Sequence, residues 1–369
     1  MYIYQYNDWP NFRWDEAEIN TILQHVHLLQ AKLLGKMDML GFDLRNEANL
    51  KILTQDILKS SEIEGELLNI EQVRSSVARR LGLETAGGIH IDRNVEGIVD
   101  MMLDATRNYN SIMTLERLFG WHASLFPSGY NGIVRITTGR FRDDKIGPMQ
   151  VVSGYYGKEK VHYQAPAAEI LDHEMNQFIS WLNKPGNSNG VLRAAIAHFW
   201  FVTLHPFEDG NGRIARALSD MLLAKAEGTS QRFYSISAQI RKERNSYYEI
   251  IEKSQKHSLD ITKWLVWFLN CVSRAIEDTQ EILAGLFNKA YFWRNNASVQ
   301  INERQKKVLN LLFDSFDGKL TSSKWAKLCK CSQDTAQRDI QSLLEMQILK
   351  KCGSGRSTNY ELEPHSFRN

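Results

Sequence analysis

Apolar side chains along this chain recur mostly three and four positions apart, as in Leu192, Ala195, Ile196, Phe199 and Trp200, the spacing that turns one face of an α-helix toward a core. Strand-like alternation is sparse, so a mainly α architecture is predicted. Leu50, Leu53, Ile57 and Leu58 predict a helix with a buried stripe, and Gly65 is placed to terminate it, because glycine accepts the left-handed conformation of a helix C-cap. Between Thr137 and Pro166 the helical period lapses. There Gly139, Gly147, Gly154 and Gly157 punctuate short β-prone runs, and 151–153 with 161–163 predict a hairpin turning around Gly154 to Gly157.

Toward the C-terminus, 322–329 predicts a short helix and Lys330-Cys331-Ser332 a turn, with Ser332 as N-cap of a second helix over 333–346. Ala336, Ile340, Leu343 and Leu344 form the inward face of that helix, and 350–362 predicts a hairpin turning at Gly353-Ser354-Gly355. Breaks at Gly87-Gly88 and at the polar Arg294-Asn295-Asn296 divide the chain into three expected sections, 1–105, 106–290 and 299–363. The aromatics of the opening segment, Tyr2, Tyr4, Trp9, Phe12 and Trp14, are expected as packing residues.

Composition narrows the classes. With 369 residues, 43% of them hydrophobic and 24% charged, the chain can bury ample core. The first ten residues lack the basic start and apolar run of a secretory signal, and the longest apolar stretch, 194–204, is interrupted by His198 and Thr203 and too short to cross a bilayer. A cytoplasmic protein without a membrane span is expected. Four cysteines, Cys271, Cys329, Cys331 and Cys352, neither make a disulfide framework nor supply the paired spacing of a zinc site. The net charge of +2 is uneven: residues 299–369 hold twelve Lys or Arg against eight Asp or Glu. That excess permits a nucleic-acid surface in the tail without demonstrating one.

The chemistry concentrates in twelve residues. A helix running up to Pro206 and a new apolar period through Ile214, Ala217, Leu218, Met221 and Leu222 make the segment helix, loop, helix. Gly210 and Gly212 let backbone N–H groups approach a ligand at the N-terminus of the second helix, a place that favours anions. Arg213 and Arg216 lie three apart on its first turn and can grip a polyphosphate together. Asp209 offers one carboxylate for Mg²⁺, which takes its other ligands from phosphates and water, and His205 is the candidate general base. A merely structural loop would not need base, metal ligand, anion nest and two cations together.

The run His205-Pro206-Phe207-Glu208-Asp209-Gly210-Asn211-Gly212-Arg213, with Arg216, matches every specified position of the signature His-Pro-Phe-x-Asp/Glu-Gly-Asn-Gly-Arg-x-x-Arg, so the chain resembles the Fic family. The resemblance implies a helical Fic core and transfer of AMP from ATP to a Ser, Thr or Tyr hydroxyl of a target protein or of the chain itself. In that scheme His205 deprotonates the hydroxyl and Asp209 holds Mg²⁺. Gly210, Asn211 and Gly212 cradle the phosphates, Arg213 and Arg216 take the β- and γ-phosphates, and Phe207 anchors the loop. Lys160, Val161, His162 and Tyr163 fall where the family has a β-hairpin flap that pairs with the target by strand addition. Tyr248 and Gln255 fall at the nucleotide-base pocket, whereas His198 reads as a packed histidine.

Ser60-Ser61-Glu62-Ile63-Glu64-Gly65 resembles the family's inhibitory motif, Ser/Thr-x-x-x-Glu-Gly/Asn. It implies that Glu64 pairs with Arg216 and takes it from the γ-phosphate, while Ser60 steadies the helix end. In some relatives this glutamate also serves removal of AMP, which remains open here. Residues 301–362 resemble a winged helix-turn-helix, in which Gln333, Gln337 and Arg338 would face a DNA groove and Lys350, Lys351 and Arg356 would reach phosphates. DNA and a second copy of the chain are therefore partner candidates beside the target protein. The competing readings are a DNA-binding regulator whose core senses nucleotide, and an enzyme transferring phosphate or phosphocholine; Gly212 favours AMP over the latter.

Overall fold

The computed structural model describes residues 1–83, 88–145, 147–154, 160–184, 189–256, 258–313, 316 and 318–363, apart from the side chain of Arg356. Fifteen α-helices and three two-stranded antiparallel hairpins are present among them, in keeping with the expected mainly α class. The break at Gly87 and the hairpin turn at 155–157 lie outside the described residues. Two compact units emerge: Met1–Leu34 with Asn49–Thr279, and Gly35–Ala48 with Gln280–Asn369.

The larger unit contains, in chain order, α1 (Glu16–Asp38, in part), α2 (Phe42–Ile63, from Asn49), α3 (Ile70–Leu81), α4 (Arg93–Arg107), α5 (Leu115–Leu125), the hairpins β1 (Tyr130–Asn131) with β2 (Val134–Arg135) and β3 (Gln150–Ser153) with β4 (Lys160–Gln164), and then α6 (Leu171–Asn183), α7 (Gly190–Leu204), α8 (Asn211–Glu227), α9 (Ile236–Lys242), α10 (Arg244–Ser254) and α11 (Thr262–Ile282, to Thr279). Helices α7 and α8 are its centre. Every residue of α7 from Val191 to Leu204 is buried, and α8 is buried over most of its length, so the loop joining them is fastened to the least mobile part of the unit. Leu50, Leu53 and Ile57 are buried as the period predicts, while Leu58 is half-buried.

The end of α2 follows from Gly65, which adopts φ +87°. With the chain turned left-handed there, the Glu66 N–H bonds back to Ser61 O at 3.0 Å and the Gly65 N–H to Glu62 O at 3.1 Å, satisfying carbonyls the helix would otherwise leave open. This closure sets the direction in which Glu64 and Glu66 leave the helix.

The smaller unit holds α12 (Ala284–Asn295), α13 (Glu303–Phe313), α14 (Ser322–Cys329), α15 (Gln333–Glu345) and the hairpin of β5 (Leu349–Cys352) with β6 (Asn359–Leu362). Val308, Leu309, Trp325, Ala336, Ile340, Leu343 and Tyr360 close a separate core. Ser332 caps α15 as predicted, accepting from the Thr335 N–H at 3.2 Å. No helix among the described residues is long and apolar enough to cross a membrane.

Candidate active site

Helix α7 ends at Leu204 because His205 turns left-handed, φ +47°. The chain then passes through Pro206 to Gly210, also left-handed at φ +83°, which starts α8. A methyl group at Gly210 would meet Leu125 and Phe126 at 3.0 and 3.1 Å, so the turn excludes a side chain on grounds of space as well as dihedral. Phe207 is fully buried, as expected of an anchor, and stacks on the His122 ring with 4.0 Å between centroids.

The Asn211 side chain turns back onto the loop. Its Oδ1 accepts from the Phe207 N–H at 3.0 Å and its Nδ2 donates to Phe207 O at 2.8 Å, a two-point staple across the loop. Only the backbone of Asn211 remains for an anion. The reason is steric: the loop buries the polar backbone of Phe207, which must be satisfied locally.

His205 donates from Nδ1 to Val202 O at 3.3 Å, a carbonyl that can only accept, and this leaves Nε2 as the lone-pair nitrogen. Part of the residue is accessible, yet its ring lies in packed surroundings. That desolvation, with the nearby Arg142 charge, holds its pKa down at about 4. At neutral pH the ring is therefore uncharged and able to take a proton.

Arg213 and Arg216 point back from α8 to the end of α2. Arg216, almost wholly buried, donates from Nη2 to Glu64 Oε1 at 2.8 Å and to Ser60 O at 2.9 Å, and from Nε to Ser60 Oγ at 2.9 Å. Ser60 and Glu64 thus meet Arg216 as the motif implies. Arg213 bonds Glu66 Oε2 at 2.7 Å and lies 3.7 Å from Asp209 Oδ1. Glu64 is poorly placed at the C-terminus of its own helix but sits against the first turn of α8, where a methyl on Gly212 would fall 2.2 Å from its Oε1. Its carboxylate lies against the start of α8. Arg216 Nη1 and Arg213 Nε are buried with no acceptor, so the nest keeps unused donors.

The other expected residues are partly dispersed in role. Asp209 accepts from Asn131 Nδ2 at 2.6 Å and from the Gly210 N–H, and no group of three or more His, Cys, Asp or Glu side chains able to hold a metal occurs among the described residues. A single carboxylate is nonetheless what Mg²⁺ takes when phosphates complete its shell. Tyr248 is 38% exposed with the Arg244 guanidinium 5.0 Å from its ring centre. Gln255 is buried, its amide donating to Val202 O and Thr203 Oγ1 at 3.4 and 3.3 Å, which makes it a brace for the end of α7 rather than an open ligand.

In the β3–β4 hairpin, Lys160 and Val161 are exposed and His162 half-buried, but Tyr163 faces inward and donates its hydroxyl to Thr203 O at 2.7 Å. It fastens the hairpin; it does not present it. His198 is buried between Ser219 Oγ and Tyr247 Oη, the packed histidine expected.

Four contributors were not anticipated. Arg142 clamps the loop from outside, donating from Nε to His205 O at 2.8 Å and from Nη2 to Pro166 O at 2.5 Å. The Gly139 N–H donates to His122 Nδ1, so His122 Nε2 carries the hydrogen directed to Asp209 O at 3.2 Å. Glu208 receives the Thr137 N–H and hydroxyl at 2.8 and 2.9 Å. Glu66 lies one residue beyond the recognised motif, and its spacing from Glu64 across a C-cap glycine was the available signal.

A histidine-bearing loop leading into the N-terminus of a buried helix is a place where an anion can be held. Residues 112–223 match the Fic/DOC family, and residues 2–83, which include Ser60 to Gly65, match a domain of unknown function, DUF4172. Over 112–223, less than a third of its length, the chain is thus similar to Fic/DOC proteins. It is 28% identical over 233 residues to the protein adenylyltransferase Fic of Aedes aegypti and 24% identical over 231 residues to that of Nematostella vectensis, 60% of this chain in each case. It spans 41% and 48% of those proteins' own lengths. Its fold is similar to a Fic family protein from Desulfovibrio desulfuricans G20, with TM-score 0.59 and 19% identity over 95% of this chain and 97% of that one. A Fic domain containing signaling protein from Bacteroides thetaiotaomicron VPI-5482 aligns with TM-score 0.51 and 18% identity over 73% of this chain and 98% of that one.

Proposed function

We propose that the protein is an adenylyltransferase, moving AMP from ATP to a hydroxyl of a target protein, and that Glu64 holds it at rest. The observation carrying this reading is the Glu64 carboxylate seated on Arg216 and Gly212, an anion occupying an anion site, beside a neutral His205. His205 Nε2 accepts the proton of the target hydroxyl as its oxygen attacks the α-phosphorus and pyrophosphate leaves. The N–H groups at the start of α8, with Arg213 and Arg216, hold the polyphosphate, and Tyr248 packs on the base. Asp209, whose Oδ2 meets only the exposed Asn131 amide, would hold Mg²⁺, which supplies charge neutralisation on the phosphates. The exposed backbone edge beside Lys160 and Val161 pairs with the target segment.

In this reading the functional sections remain 1–105 with the brake, 106–290 with the chemistry and 299–363 as a winged helix, the last supported by α13 to α15 followed by a hairpin. With Glu64 on Arg216, a γ-phosphate has no partner there and the α-phosphorus sits out of line. Wild type, Glu64→Gly and His205→Ala are to be incubated with Mg²⁺ and α- or γ-labelled ATP, alone and in lysate. Label should pass only from the α position, at least roughly tenfold faster in Glu64→Gly than in wild type, and should no longer reach lysate proteins in His205→Ala. Transfer of the γ label would overturn the reading.

A further inference from the structure

The β3–β4 hairpin contains a second histidine-centred array. Pairing along it runs Val151 with Tyr163 and then Val152 with Val161, so His162 is an extra residue, a bulge in β4. A bulge re-aims a side chain, and here the His162 imidazole reaches Ser153 at the end of β3. Ser153 Oγ lies 2.6 Å from His162 Nε2, and His162 Nδ1 lies 2.6 Å from Glu252 Oε2 on α10. Glu252 is itself fixed, its Oε1 accepting from Lys256 Nζ at 2.6 Å. Hydroxyl, imidazole and carboxylate in line is the arrangement that orients a histidine and raises the nucleophilicity of a serine, whatever fold displays it.

Position gives the array its meaning. Glu252 is one helical turn after Tyr248 on α10, so the two occupy the same face about 5–6 Å apart. Tyr248 in turn lies within the electrostatic reach of Glu64 and Arg216, at the nest. The hairpin is tied to the same place from its other side, through Tyr163 to Thr203, two residues before His205. Ser153 is exposed, so its hydroxyl stays open to solvent beside His162.

We propose that Ser153 is an internal acceptor of AMP, a modification site of the chain itself, with His162 as its base and Glu252 as the residue that positions His162. This inference rests on the adenylyltransferase reading. The Ser153 Oγ forms a bond to the α-phosphorus of ATP while the bond from that phosphorus to the oxygen bridging to the β-phosphate breaks. Pyrophosphate departs with that oxygen, and the serine proton passes to His162 Nε2. The product carries a phosphodiester at the end of β3, where the added nucleotide stands beside the edge on which a target strand would pair, so modification and target docking compete.

The test is a site map. The full chain carrying Glu64→Gly is incubated with Mg²⁺ and ATP, digested with trypsin and sequenced by mass spectrometry. Fragment ions across 146–158 separate Ser153 from Tyr155 and Tyr156. AMP on Ser153 is expected, falling roughly tenfold or more when His162→Ala or Glu252→Gln is added, with Glu252→Gln partly rescued at higher pH. A structural role alone would not move site occupancy while leaving the melting temperature unchanged, which is measured alongside. AMP on other residues or on lysate proteins with Ser153 clean overturns this inference and leaves the proposed function standing. AMP nowhere overturns both.

Discussion

Two stretches of chain meet at the start of α8, and they are held in opposite ways. The loop from His205 to Gly210 is fixed mostly by buried groups, the Asn211 staple, the Phe207–His122 stack and Arg142 on His205 O, with the half-buried Thr137 on Glu208. The carboxylates at the end of α2 are wetter, with Glu64 and Glu66 side chains 29% and 34% exposed, while their partners Arg216 and Arg213 are only 1% and 5% exposed. Removing a carboxylate to water is far easier than removing a buried guanidinium. The arginines are therefore fixed more firmly than the two carboxylates, the asymmetry that the proposed resting state requires.

The strongest way to break the comparison is to strike the firmly fixed side. His205→Asn keeps a residue that tolerates the left-handed backbone yet removes the base, and transfer in a Glu64→Gly background should fall by about 10²–10⁴-fold. Asn211→Ala opens the staple and leaves buried backbone groups of Phe207 unpaired. A loss of about 2 kcal/mol in denaturant unfolding should accompany a smaller loss of transfer rate, measured on the same preparation. Striking the carboxylate side should act in the other direction. Glu66→Ala frees Arg213 and should raise transfer a few-fold, less than Glu64→Gly, with stability changed by only about 1 kcal/mol because the carboxylate is already partly solvated.

Acidity sharpens the contrast. Burial lowers the pKa of His122 to about 4 and that of His198 to about 3, and neither takes a proton readily while folded. The unfolded chain binds protons at these sites below about pH 6.5, so stability is fully present above that pH and declines as pH falls toward 4, by about 1.4 kcal/mol per unit per histidine. Thermal melts between pH 7 and 4 measure the decline. The transfer rate of Glu64→Gly should stay level between pH 6 and 8, since His205 remains neutral there; a bend near 6.5 would show an unperturbed base. The smallest effect is expected for Asn131→Ala, where an exposed amide leaves Asp209 and stability changes by less than about 0.5 kcal/mol.

What could be read in advance was local. The glycines, arginines and histidine of the loop sit within twelve residues, and Glu64 precedes a C-cap glycine at helical spacing, so motif and period suffice to place them. Arg142, His122 and Thr137 reach the loop from 63, 87 and 71 residues away, and no periodicity links such positions. The side-chain bonds of Asn211 were not legible for a related reason. Its neighbours are phosphate ligands by position, but which side chain must satisfy the buried Phe207 backbone is decided by the shape of the folded loop. Tyr163 followed the alternation of a strand, whereas the bulge that turns His162 toward Ser153 leaves no trace in the hydrophobic pattern.

The contact between Glu64 and Arg216 also has a genetic consequence. Both glutamate codons become glycine codons by a single change at the second base, so one substitution in the gene deletes the carboxylate while Arg216 is left as it was. If Glu64 is the proposed brake, lineages carrying this protein stand one mutational step from unrestrained activity, and the safeguard persists only through continued purifying selection at that codon.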